Sequence, residues 1–150
     1  MNLNATLNEV LVRLFRDINA IEEQAVRTGE YKELSVNDMH VIEAIDIHEP
    51  KNMTSVARAL SVTTGTLTIS VNGLVKKGFV ERTRSEEDRR VVLVSLTQKG
   101  RKAFAQHSRF HQQMIDAVVE GLTPQEQEIL EKALRNLNQF FRGIGKTTFS

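Results

Sequence analysis

A chain of 150 residues is long enough for one domain with a real core, and 20 Lys and Arg against 19 Asp and Glu leave a net charge of +1 that names no partner by itself. It contains no cysteine, which excludes thiol redox sensing, thiolate catalysis and cysteine-ligated zinc. No apolar run approaches about 18 residues, and the start MNLNATLNEVLVRLF lacks the features of a signal peptide, so a cytoplasmic protein without a membrane span is expected.

From the N-terminus, Leu3, Leu7, Val10, Leu11, Leu14, Ile18, Ile21 and Ala25 step by three and four, predicting one long amphipathic helix that ends near Gly29. Such a stripe packs either on its own domain or on a second subunit. Ser35-Val36-Asn37-Asp38 resembles a capping box with Asp in place of Glu. The helix it opens carries Met39, Ile42 and Ile45 and stops before Pro50. Val56, Ala57, Leu60 and Val62 predict a short helix begun by a capping Thr54 or Ser55. Leu67, Val71, Leu74 and Val75 then repeat at helical spacing through a second helix, Thr63 to Lys77, which Gly78 ends. Thr63, Thr64, Thr66, Thr68 and Ser70 are poor helix formers, but strand alternation would bury a different set.

Phe79-Val80 and the run Val91 to Leu96 read as two strands, separated by the polar hairpin tip Arg84-Ser85-Glu86-Glu87-Asp88-Arg89. Thr97 caps a long helix lined by Ala103, Phe104, Phe110, Met114, Ile115, Val118 and Val119, ended by Gly121. Thr123-Pro124-Gln125-Glu126 is the start signal of a last helix. Its apolar face runs from Ile129 through Leu134, Leu137 and Phe140 to Ile144, and the tail from Gly145 to Ser150 is expected to fray.

Helix, tight turn, helix and hairpin form a winged helix-turn-helix within a mostly α protein, and in such units the second helix enters the major groove. The charge distribution agrees. Residues 1–52 carry five Lys and Arg against ten Asp and Glu, residues 53–102 ten against four, and residues 103–150 five of each. Local basicity of this kind is the footprint of phosphate contact. No Gly-rich phosphate loop, nucleophile elbow or other catalytic constellation is present, so no enzyme activity is expected.

Hydroxyls on a helix that does not need them for stability suit base and phosphate contacts, and a threonine methyl suits a thymine methyl. The expected DNA face comprises Ser55, Arg58, Thr63, Thr64, Thr66, Thr68, Ile69 and Asn72, with Lys76, Lys77, Arg82, Arg84, Asp88, Arg89 and Arg90 beside it. Ile69 has no hydrogen bond to offer a base edge, which favours methyl contacts and an A·T-rich site. Asp88 also reads simply as a turn former. His107 and His111, four residues apart on one helix, have metal-ligand spacing. The bland reading is that they hydrogen-bond within the helical half.

The order Leu74-Val75-Lys76-Lys77-Gly78-Phe79-Val80-Glu81-Arg82, then Asp88-Arg89-Arg90, then Leu96-Thr97-Gln98-Lys99-Gly100, resembles the signature of the MarR family of bacterial regulators. The Thr-rich helix, the wing tip and His107-Ser108-Arg109-Phe110-His111 are similar to the FabT-type branch, repressors of fatty-acid biosynthesis. The resemblance implies a single domain over 1–150, with a winged part at 33–100 and dimerisation helices at 1–32 and 101–145 packed across a two-fold axis. It implies a homodimeric repressor on a palindromic operator, with Asp88 orienting the wing tip and Arg90 in the minor groove. It further implies control of fatty-acid synthesis genes, with long-chain acyl-acyl carrier protein as corepressor and His107, Phe110, His111 and Met114 bordering an acyl tunnel. Zinc-sensing members suggest instead a zinc site of Glu23, His40, His107 and His111, and other members respond to small apolar ligands. A winged-helix interaction module without DNA function remains a further reading, which the basic patch and wing arginines oppose.

Overall fold

The computed structural model describes residues 2–148, and the chain divides into two compact units, Met1–Ser108 and Arg109–Ser150. In the first, the Asn2 side chain accepts from the Ala5 N–H and starts helix α1 (Leu3–Glu9). A π-helical turn (Val10–Leu14) continues it into α2 (Phe15–Thr28), so the predicted long helix exists, with an extra residue in its middle that shifts its phase.

Helix α3 (Val36–Ile45) opens with the expected reciprocal capping box, Ser35 Oγ accepting from Asp38 N–H and Asp38 Oδ2 from Ser35 N–H. A two-residue strand β1 (Lys51–Asn52), too short to leave a sequence period, leads directly into α4 (Met53–Leu60). The cap of α4 is therefore Asn52, not Thr54 or Ser55: its side chain accepts from the Ser55 N–H at 2.8 Å. Ser61, left-handed at φ 56, ends α4 and makes the tight turn, so Val62 falls outside the helix and is 39 % exposed.

Helix α5 (Thr64–Lys77) runs from a Thr63 cap to Gly78, whose φ of 88 suits the glycine found there. Strands β2 (Val80–Arg84) and β3 (Val92–Leu96) pair antiparallel with Val80 opposite Leu96, and β1 adds to the far side of β3 with Lys51 opposite Val94, giving the order β1-β3-β2. Ile42, Ile45, Val56, Leu67, Val71, Leu74, Phe79 and Val94 form the core between these helices and the sheet.

Helix α6 (Gln98–Val119) follows β3. In the second unit, Thr123 and Glu126 form the expected capping box of α7 (Pro124–Thr148). That helix continues past Gly145, where fraying was expected; Phe149 and Ser150 lie outside the described residues. Phe140 and Phe141 meet edge to face at 5.5 Å and both remain exposed. No helix among the described residues is long and apolar enough to cross a membrane.

Candidate nucleic-acid interface

Burying Leu67, Val71 and Leu74 fixes which face of α5 looks outward. Thr64, Thr66, Thr68, Ile69, Asn72 and Lys76 are all exposed, and Ile69, with 74 % of its surface free, is an apolar side chain that the core does not use. The hydroxyls are held by one another and by the helix backbone. Thr63 Oγ1 accepts from the Thr66 N–H at 3.1 Å and donates to Thr66 Oγ1 at 3.0 Å, while Thr68 Oγ1 donates to the Thr64 carbonyl at 2.7 Å. On α4, Ser55 and Arg58 are exposed.

The wing is ordered by its own charges. Arg90 Nε lies 3.0 Å from Asp88 Oδ1 and its second nitrogen 3.1 Å from Oδ2, a bidentate pair reinforced by the Arg90 N–H. The Arg90 guanidinium, then its backbone N–H, hold the Asp88 carboxyl below the usual carboxylate range. Arg84 donates to the Arg89 carbonyl at 2.8 Å, bracing the tip from the other side, and Arg89 itself is exposed. Arg82 on β2 donates to Asn72 Oδ1 on α5, so helix and wing are joined side chain to side chain. Sequence reading assigned Asn72 and Arg82 separately; their union depends on the β2 register.

The end of α5 is fastened on its inner side. Thr97 Oγ1 donates to the Gly78 carbonyl at 2.6 Å and accepts from the Gly100 N–H at 3.1 Å. A Cβ on Gly100 would sit 2.1 Å from the Phe79 carbonyl oxygen, which explains a glycine at that helical position. Lys77, expected among the phosphate-holding residues, instead donates to the Glu33 carbonyl at 2.8 Å and to Asp38 Oδ2 at 3.0 Å. Lys76 beside it is exposed and has no ion pair among the described residues.

The histidine cluster differs from its expected membership in its carboxylate. Buried His107 places Nε2 3.2 Å from Glu22 Oε1 and in close contact with Glu43 Oε1, and His40 Nε2 lies 3.9 Å from the same Glu22 oxygen. Glu22 replaces Glu23, which pairs with Arg27 at 2.5 Å on the exposed side of α2. Helical phase carried that signal: Glu22 follows Ile18 by four residues and precedes Ala25 by three, so it lies on the inward stripe, and Glu23 does not. His111, one turn beyond His107 on α6, belongs to the second unit, where its ring meets Phe110 edge-on at 5.9 Å. Phe110 and Met114 are half-buried.

A helix-turn-helix with an ordered hydroxyl face, beside a hairpin presenting four arginines, defines a winged-helix DNA-binding protein. The family model described as transcriptional regulator SarA/Rot matches residues 28–107. The structure is similar to that of Streptococcus pneumoniae FabT in complex with DNA, at 38 % identity and a TM-score of 0.86, covering 94 % of this chain and 99 % of that one. It also resembles a mutant MarR from E. coli complexed with operator DNA, at 26 % identity and a TM-score of 0.61 over 91 % and 99 % of the two chains. The HTH-type transcriptional regulator YhjH of Bacillus subtilis is 26 % identical over 132 residues, 86 % of this chain and 75 % of that protein. The chain belongs to the MarR and SarA/Rot family of winged-helix regulators, and is a DNA-binding regulator of transcription.

Proposed function

We propose that the chain is a cytoplasmic, homodimeric repressor of fatty-acid biosynthesis genes whose DNA affinity is raised by long-chain acyl-acyl carrier protein. The observation that carries this reading is the full-length likeness to FabT, at 38 % identity. The exposed face of α5 enters the major groove of a palindromic operator, where Thr63, Thr64, Thr66, Thr68 and Asn72 meet base edges and Ile69 packs on thymine methyls. Ser55 and Arg58 on α4 lie along the backbone, and Lys76, Arg82, Arg84 and Arg89 hold phosphates. Arg90, aimed by Asp88, enters a narrow, A·T-rich minor groove. Phosphate contacts set register and affinity; base contacts set the sequence.

Two copies are required because the terminal helices expose apolar faces to water. Leu3 on α1, and Ile129, Leu134, Phe140 and Phe141 on α7, are each more than half exposed. A second copy supplies the complementary surface and a second reading head, which a palindrome demands. The region 33–100 is thus the reading part, and residues 1–32 and 101–145 the dimerisation part of one functional domain.

The acyl chain lies along the half-buried Phe110 and Met114, beside His111, and each buried methylene is worth about 0.8 kcal/mol. His107 borders this path from a polar cluster, and the acidic carrier docks near Arg109. The effector acts by favouring the conformer whose recognition helices match the operator. Operator binding titrated with acyl carriers of increasing chain length tests this: affinity rises with length until the site is full. An operator complex indifferent to acyl carriers contradicts it.

One observation favours a second reading, a zinc-responsive regulator. Glu22 lies 3.9 Å from His40 and 3.2 Å from buried His107, a carboxylate and two imidazoles of the type zinc prefers. An operator complex destroyed by chelator, restored by zinc and insensitive to chain length selects this reading over the first.

A further inference from the structure

The end of α5 is held to two other segments by a small charged network. Lys99 Nζ, on the first turn of α6, lies 3.1 Å from the Lys77 carbonyl, one of the carbonyls at the end of α5 with no partner in its own helix. The same ammonium lies 3.1 Å from Glu33 Oε1 and 4.4 Å from the centre of the Phe79 ring. Lys77 reaches the opposite way, to the Glu33 carbonyl and to the Asp38 carboxylate that caps α3. Glu33 sits where the chain enters the winged head from α2, and Lys99 where it leaves into α6.

We propose that Glu33, Lys77 and Lys99 are positioning residues for DNA reading, a clamp that fixes the angle of the recognition helix relative to both chain crossings. This rests on the reading of α5 as the element in the major groove. Individually, exposed ion pairs contribute little to stability. Their leverage on geometry is larger. Thr64 lies about 20 Å along the helix from Lys77, so a tilt of about 10° at the clamped end moves Thr64 by about 3 Å. Base contacts tolerate errors of about 0.5 Å. Non-specific phosphate contact, which carries no such geometric demand, is indifferent to the same tilt.

The test uses the full-length chain and a duplex selected by it from a random pool, with a scrambled duplex as control. All binding is measured well below each variant's melting temperature. Glu33→Gln and Lys99→Met each lower the ratio of selected to scrambled affinity about five- to tenfold. The slope of log affinity against log salt stays native in both. Lys99→Arg, which keeps the charge and the reach, recovers most of the ratio, and combining Glu33→Gln with Lys99→Met costs no more than the worse single change. Lys76→Ala, outside the clamp, weakens both duplexes alike and lowers the slope by about one unit. Native ratios in Glu33→Gln and Lys99→Met overturn the clamp, as does a slope lowered by one in Lys99→Met, which makes it a phosphate contact. A native chain that selects no sequence overturns the underlying reading and the clamp with it.

Discussion

In the winged head, Ile42, Val56, Leu67, Val71 and Phe79 are at most 1 % exposed, whereas α1 buries nothing and α7 has no buried side chain as far as Ile144. The head contains its own core and displays polar groups. The terminal helices are equally rich in apolar residues but leave them in water. The difference separates two tasks under the proposed function: one region is finished by its own folding, and the proposed second copy finishes the other.

The largest expected effect breaks the head. Gly100→Ala places a methyl 2.1 Å from the Phe79 carbonyl, where only backbone movement relieves the overlap. We expect a loss of about 3 kcal/mol or more by chemical denaturation. Gly73, with nothing within 4 Å of an added Cβ, marks the contrast: Gly73→Ala within α5 raises stability by up to about 1 kcal/mol.

The next breaks the other region alone. Phe140→Asp puts a charge on an exposed apolar face of α7, 60 % free in the single chain. Sedimentation equilibrium is expected to show dimer association weakened at least thirtyfold, about 2 kcal/mol, while the circular dichroism of the head is unchanged.

Within the head, reading separates from holding. Thr66→Ala is expected to cost about 1–2 kcal/mol on the selected duplex and little on a scrambled one. Arg90→Ala weakens binding to both and lowers the salt slope by about one unit. If Thr66→Ala leaves the ratio of the two affinities unchanged, the reading face has been misplaced.

The smallest effect is that of pH. The Glu33 carboxyl is held below its usual range by its own backbone N–H and then by Lys99, and Asp88 is lowered by Arg90. A lowered carboxylate stabilises the fold above its unfolded pKa, and that contribution is lost as pH falls through the folded value. The melting difference between native chain and Glu33→Gln therefore stays constant from about pH 7 to pH 5 and closes on further acidification, as pH falls through the lowered folded value. A difference that grows on acidification contradicts the assignment.

Most of the fold was legible because the winged head follows local rules. The Ser35 capping box, the Gly78 terminus and the period of Leu67, Val71 and Leu74 each leave a direct sequence trace. Strand β1 left none, being two residues long, and Asn52 was overlooked as a cap because it also ends that strand. The exposed face of α5 followed from the buried face, since fixing one side of a helix exposes the other. What remained hidden was pairing at long range. Lys77 and Lys76 are adjacent and identical in type, yet only folding brings Glu33 and Asp38 to the first of them. Glu22 was visible in the helical phase, but its meeting with His107, 85 positions on, was not.

The central claim is that two reading heads, joined by terminal helices, share one operator. Hydroxyl-radical footprinting of the full-length chain on its selected duplex tests this most directly. We predict two protected half-sites related by a two-fold axis, their centres about 34–36 Å apart or a multiple of that, each with a protected minor-groove flank. A single unrepeated footprint, or uniform protection without sequence preference, would contradict the account.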